Sequence, residues 1–310
     1  MAHPRAFRFG VQGRNMGPRQ AWLDSVRRVE DAGFSTYLVL DHFVRGLDPV
    51  AALGAAAIAT STLRLGSMVF DNDFRHPAVL AKAAATIDVL SDGRLELGIG
   101  AGWLREEYEQ TGIPFDPPGL RIDRMVETVQ FLKRVWAEDE VSFAGEHYTM
   151  TDLKMPPRPV QQPHPPLVIG GGSKRILSVA GREADIVGLT TRALPNGLKD
   201  VKDMTAEATH RKIDWVRDAA GERFDDLELT VMVSDLVVTD DRMAAAERLA
   251  AAMNVSAAEV LASPQVLIGS VESMVEDLQR RRAEFGLSYF VVLDTHMEKL
   301  APVVARLAGT

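Results

Sequence analysis

Short apolar runs rich in β-branched residues alternate with longer amphipathic stretches along the whole chain. The runs fall at residues 7–11, 36–40, 64–70, 94–99, 166–170, 184–189, 227–238 and 288–293. Most are nearly continuous in hydrophobicity rather than strictly alternating, which is how parallel strands covered on both faces read. Between them, apolar positions recur at helical spacing. Ile122, Met125, Val126, Val129 and Leu132 form one stripe, and Val271, Met274, Val275 and Leu278 another. Val79, Leu80, Ala83, Ala84, Ile87 and Leu90 form a third, ended by Ser91-Asp92-Gly93, and a helix over 21–32 stops at Gly33. About eight strand–helix units predict an α/β fold of the (β/α)8 TIM-barrel type, with an open doubly wound sheet as the rival pattern.

Two stretches break the rhythm. Residues 148–166 carry Pro156, Pro157, Pro159, Pro163, Pro165 and Pro166, which excludes regular helix or central strand there. This reads as an extended insertion before strand five rather than a domain boundary, so one domain is expected over 1–310. Residues 191–205, with Pro195 and Gly197, read as an irregular loop and a candidate lid.

Composition narrows the classes. With 46% hydrophobic and 25% charged residues the chain has the make-up of an ordinary globular protein. A net charge of -8 argues against nucleic-acid or anionic-membrane partners. The absence of cysteine removes disulfides, thiolate nucleophiles and cysteine metal sites. The opening MAHPRAFRFGVQ lacks the apolar core of a secretory signal, and no run approaches about 18 uncharged apolar residues, so a cytoplasmic protein is expected.

In a barrel the chemistry gathers where strands end. The run LELGIGAGW at 95–103 places Gly98, Gly100 and Gly102 after a strand. Their G-x-G-x-G spacing puts Trp103 where a dinucleotide fingerprint needs its third glycine, so the fingerprint fails. Gly100 and Gly102 are expected instead to let a ring or substrate approach the backbone. Strand two ends in Asp41-His42-Phe43, a carboxylate beside an imidazole that could orient a cofactor edge or move a proton. Strand three ends in Asp71-Asn72-Asp73-Phe74-Arg75. The carboxylates lack calcium-loop spacing and read as caps and as partners of Arg75.

Strand five ends in Gly170-Gly171-Gly172-Ser173-Lys174-Arg175, where free backbone N–H groups and two bases at a helix start predict a phosphate site without Walker spacing. Strand eight ends in Asp294-Thr295-His296. Together with Asp41 and His42 this raises a metal-dependent hydrolase, but strand one carries no histidine pair, and no metal is expected. No G-x-S-x-G elbow supports serine hydrolysis.

These pieces together resemble the bacterial luciferase-like superfamily of flavin and deazaflavin oxidoreductases. The likeness rests on Asp41-His42-Phe43 and the block from Gly66 to Trp103, which includes Asn72–Pro77, Asp92-Gly93-Arg94 and Gly98–Trp103. It continues with Pro166–Gly172, Arg182-Glu183-Ala184-Asp185 and Leu267-Ile268-Gly269-Ser270. Within the superfamily the chain looks most like the branch that uses coenzyme F420, a 5-deazaflavin.

The resemblance implies a homodimer and a non-prolyl cis peptide at Met68-Val69. It implies that Asp41 and His42 lie at the ring edge, that Met68, Val69 and Phe70 back the ring, and that Ala101, Gly102 and Trp103 shape the mouth of strand four. The cofactor phosphate would rest on Gly170, Gly171, Gly172, Lys174 and Arg175. Where some sugar-phosphate dehydrogenases of this branch have a proton-donating Glu, this chain has Trp103.

The function expected is hydride transfer between the deazaflavin C5 and a small organic substrate. His42 would exchange the accompanying proton, Asp41 would polarise the ring, and Phe43, Phe74 and Trp103 would exclude water. An FMN-dependent two-component monooxygenase is the alternative on the same fold. Lys174, Arg175 and Arg75 could supply the positive charge that favours the longer deazaflavin tail.

Overall fold

The computed structural model describes residues 5–192, 194 and 200–310. Eight strands occupy the predicted runs: β1 (Arg8–Gln12), β2 (Thr36–Val39), β3 (Arg64–Ser67), β4 (Leu95–Gly100), β5 (Leu167–Gly171), β6 (Ile186–Leu189), β7 (Glu228–Val233) and β8 (Leu287–Leu293). The chain divides into two compact units. One takes in the chain to Gln12, Arg28–Thr36 and the chain from Gly170; the other takes in Gly13–Arg27 and Tyr37–Ile169.

In the first unit β1, β8, β7 and β6 are successive parallel neighbours. Phe9 is in register with Phe290 and Val11 with Val292, and Val231 of β7 pairs with both Phe290 and Leu189. In the second unit β2, β3, β4 and the start of β5 run parallel in that order, with Leu65 opposite Leu95 and Ile99 opposite Ile169. Each set is four parallel neighbours, helices separate consecutive strands along the chain, and the fold class is the (β/α)8 TIM barrel. The near-continuous apolar runs have their cause here. β2, β4 and β6 are buried at every position, because helices cover one face and core side chains fill the other.

Two predicted strands are divided. The run 227–238 contains β7 and a separate strand, Asp235–Val238, which pairs in parallel with Val266–Gly269. The break falls at Ser234, whose N–H donates to the carbonyl of Gln265 at 2.8 Å and draws the chain to a different neighbour. This small sheet is closed by the helices Arg242–Met253 and Ala257–Ala262 over a core of Ala245, Ala246, Ala250, Val260, Val266 and Ile268. Continuous hydrophobicity hid the switch, since both halves are buried. The run 64–70 is likewise interrupted after β3 and resumes as Phe70–Asp71.

The insertion before β5 holds an antiparallel hairpin, Val141–Ala144 with Thr149–Leu153, followed by an irregular stretch with cis bonds at Pro156-Pro157 and Gln162-Pro163. Gln161 secures that stretch, accepted by buried Asp88 through both its backbone N–H (3.0 Å) and its side-chain amide (2.7 Å). Of the expected lid, Pro195 and Gly197 lie outside the described residues. Among the described residues no helix is long and apolar enough to cross a membrane.

Candidate active site

Asp41 and His42 leave β2 in succession and are held by different partners. Asp41 is buried, and both its oxygens are engaged. Arg75 donates to them bidentately at 2.5 and 2.9 Å, and the Asp71 N–H adds a bond of 2.8 Å. Asp41 therefore ties the end of β2 to the segment that follows β3. The expected pairing of Arg75 with Asp71 or Asp73 is not found, nor is Arg75 left over for a cofactor tail. Asp41 offers it a bidentate acceptor, while Tyr108 and Arg124 occupy the other two carboxylates.

Asp71 does act as the expected cap, accepting the Asp73 N–H at 3.0 Å. It also receives the Tyr108 hydroxyl on both oxygens at 2.9 Å. Burial raises its pKa to about 7, because ionising a carboxyl group away from water is costly; the bonds from Asp73 and Tyr108 pull the other way. Burial and the Asp71 charge also push the Tyr108 phenol up. Asp73 pairs with Arg124 at 2.9 Å, and Arg124 reaches Asp116 at 2.6 Å. Arg121 donates to the carbonyls of Ala101 and Gly102 at 2.5 Å each, fixing the exit of β4.

His42 Nδ1 lies 2.6 Å from Glu107 Oε2, and Glu107 Oε1 accepts the Val44 N–H at 3.2 Å. The Glu107 side chain is almost wholly buried and the imidazole largely so. On the other side of the ring, Arg45 Nη2 faces Nε2 at 3.4 Å. A guanidinium can only donate, so Nε2 is the unprotonated nitrogen and Nδ1–H donates to Glu107. This is an imidazole fixed in the tautomer that accepts a proton at Nε2. Trp103 meets the ring edge-on with centroids 6.0 Å apart. Phe43 packs on Phe74 at 4.5 Å, and Phe74 on Tyr108 at 5.3 Å. Phe43 is 56% and Trp103 36% exposed, which leaves an apolar aromatic surface open beside His42.

The Met68-Val69 peptide is cis, as the resemblance implied. Ser67 shapes the turn around it, donating from Oγ to the Gly98 carbonyl at 2.8 Å and accepting the Phe70 N–H at 3.2 Å. The glycines of LELGIGAGW serve this packing. A Cβ at Gly98 would stand 2.0 Å from the Ser67 carbonyl, one at Gly100 2.6 Å from Val69 Cγ2, and one at Gly102 1.8 Å from the Tyr108 hydroxyl. The space above Gly100 and Gly102, expected to admit a ring or substrate, is filled by side chains of the protein itself. Met68 and Val69 are half-buried and Phe70 fully buried.

In the other unit, Gly170 and Gly171 end β5 and Lys174 opens the helix Lys174–Glu183. The turn is tight: a Cβ at Gly171 would lie 2.1 Å from Ile176, and one at Gly172 2.4 Å from the Arg192 nitrogen. Ser173 stands at the N-cap without a side-chain capping bond, and Lys174 and Arg175 are exposed. Among the described residues Lys174 makes no ion pair. A cation such as Lys174 on a helix start opposes the helix dipole unless an anion joins it.

Three contributors were missed from sequence: Glu107, Tyr108 and Arg45. Glu107 and Tyr108 sit in Arg105–Thr111, REEYEQT, which reads as a solvated charged turn. Its neighbours Glu106 and Glu109 are exposed, and only folding distinguishes the buried glutamate. The metal-hydrolase alternative gains no ligand set, since among the described residues no three His, Asp or Glu side chains gather as a metal cluster.

The chain is 32% identical over 185 residues to an F420-dependent glucose-6-phosphate dehydrogenase of Amycolatopsis mediterranei, a match covering 57% of this chain and 55% of that protein. It is 29% identical over 201 residues to an FMNH2-dependent dimethylsulfone monooxygenase of Pseudomonas putida, covering 61% and 55%. The chain thus spans about half the length of these curated relatives. Its fold matches that of a coenzyme F420-dependent tetrahydromethanopterin reductase of Methanopyrus kandleri, with a TM-score of 0.75, 17% identity and coverage of 98% of this chain and 99% of that one. The family model of the luciferase-like monooxygenases matches residues 6–288, and the chain belongs to that family.

Proposed function

We propose that this protein is a coenzyme F420-dependent oxidoreductase acting on a small organic substrate. The observation that carries the reading is the His42–Glu107 pair, an imidazole held in one tautomer beside an open aromatic surface. Each unit offers residues suited to one part of the cofactor. An uncapped helix start with exposed Lys174 and Arg175 offers the donors a phosphate needs, and exposed Trp103 and Phe43 offer flat apolar contact. Gly170, Gly171, Gly172, Lys174 and Arg175 would hold the phosphate. Met68, Val69 and Phe70 would back the ring, and Ala101 would border it.

When bound, the deazaflavin supplies a carbon centre that gives or accepts a hydride. The protein's share is placement, proton transfer and exclusion of water. His42 takes the proton of a substrate hydroxyl at Nε2 during oxidation and returns it during reduction. Glu107 holds the ring and balances the imidazolium that forms. Asp41 acts through Arg75 and the Asp71 N–H, fixing the backbone from which His42 projects. Phe43, Phe74 and Trp103 keep water from the reacting atoms.

Titration of the purified protein with F420 and with FMN, followed by fluorescence, tests the cofactor. Saturable binding of F420 is expected; tight FMN binding with none for F420 would replace this reading with that of an FMN-dependent monooxygenase. We also infer a homodimer. The helix Pro49–Ala59 carries no charged residue, and Ile58 on it is 72% exposed. On the adjacent helix Pro77–Leu90, Val79 is 59% exposed. Large apolar side chains left open on neighbouring helices support burial against a second copy.

A further inference from the structure

We propose that Arg45 is the recognition point for an oxyanion on the substrate, a carboxylate or a phosphate group, bound next to His42. The inference rests on the reading of His42 as the proton-exchanging residue and adds the chemical class of the substrate.

Arg45 differs from every other arginine around the site. Arg75 is committed to Asp41, Arg124 to Asp73 and Asp116, and Arg121 to the carbonyls of Ala101 and Gly102. Arg45 is half-buried and forms no ion pair among the described residues, and its Nε is buried without any hydrogen-bond partner. Among the described residues its one polar contact is the 3.4 Å approach of Nη2 to His42 Nε2. A guanidinium withdrawn from water normally recovers the lost hydration through a carboxylate or through carbonyls. For the buried Nε of Arg45 that compensation is missing among the described residues, although the protein has 43 acidic residues against 35 basic ones. The five-donor fork of arginine matches the two oxygens of a carboxylate or phosphate.

The location gives the cation a purpose. Its guanidinium carbon lies 6.0 Å from the Trp103 ring centre, and the same ring meets His42. An anion on Arg45 would therefore place its attached carbon skeleton against exposed Trp103 and Phe43, within reach of the imidazole. Binding also changes the imidazole's surroundings. An oxyanion that engages the guanidinium draws its N–H donors away from Nε2 and leaves that lone pair for a substrate hydroxyl. A neutral substrate would do neither.

The test uses the cofactor-free protein. Tryptophan fluorescence is followed while inorganic phosphate, and separately propionate, is added at constant ionic strength set with chloride. The chain has four tryptophans, so Trp103→Phe identifies the responding ring. A saturable change is expected with at least one anion, and the arm that responds tells phosphate from carboxylate. The apparent affinity should fall at least about tenfold in Arg45→Gln and less in Arg45→Lys, in line with loss of a charge-assisted pair. Lys299→Ala, which removes a cation belonging to neither site, should leave it unchanged.

No saturable response to either anion, or equal affinity in Arg45→Gln and the unaltered protein, overturns the proposal. Circular dichroism establishes that the variants fold; if Arg45→Gln does not, equal affinity in Arg45→Lys and the unaltered protein overturns it. The F420 titration is independent of these results, so failure of the oxyanion site and failure of the cofactor reading are separately visible.

Discussion

Glu107 decides what His42 can do. Without a carboxylate on Nδ1, the imidazole could rotate or carry its proton on the wrong nitrogen, and Nε2 would no longer be a dependable acceptor. His42→Ala should lower turnover by about 10²–10⁴-fold while F420 binding stays intact. Glu107→Gln, which keeps the shape and removes the charge, should lower turnover by roughly 10–100-fold. Steady-state rates and fluorescence titration of the same preparations check both; full turnover in His42→Ala sinks the assignment. The position of this imidazole after a strand end, beside an aspartate, was legible in the sequence. Glu107 was not, because one buried glutamate among Glu106, Glu107 and Glu109 carries no local mark.

At the scale of elements, the short helix Arg105–Thr111 that carries Glu107 is docked by its next residue, Tyr108, onto Asp71. That dock is sensitive to acid and base. The Asp71 carboxyl has a folded pKa of about 7 against 3.8 when free, so the folded chain holds a proton that the unfolded chain releases. The resulting stabilisation is complete below about pH 4 and is lost as pH rises to about 7. Asp71→Asn cannot ionise, yet still accepts the Tyr108 hydroxyl. Melting temperatures measured between pH 5 and 8 should therefore fall by a few degrees less in Asp71→Asn than in the parent, and parallel curves would refute the role of Asp71.

The strand and helix order was readable from periodicity, and the segment rich in proline was correctly kept out of the helices. The division of 227–238 was not readable, because Ser234 redirects the chain by a single backbone bond to Gln265. The same limit applies to LELGIGAGW. Three alternating glycines announce close approach, but whether a ligand or the protein's own Val69, Ser67 and Tyr108 does the approaching is set by tertiary packing.

For the whole molecule, the charge-free helix Pro49–Ala59 beside Pro77–Leu90 leaves apolar surface that one chain does not cover. Replacing Ile58 and Val79 together by Lys should convert a dimer to a monomer in sedimentation at micromolar concentration. A parent protein that sediments as a monomer would remove the homodimer from the reading.

The rim of the site is built differently from its base. Asp41, Asp71, Asp73, Glu107 and Tyr108 each answer to at least one fixed partner, and the glycines beneath them admit no added methyl group. Phe43 and Trp103 stand above that lattice with much of their surface open. Exchange of such residues changes what a pocket accepts at small expense in stability, within about 0.5 kcal/mol for exposed positions. Diversification of substrate range, whether by selection or by design, should therefore proceed through Phe43 and Trp103, while the carboxylate lattice below them stays fixed.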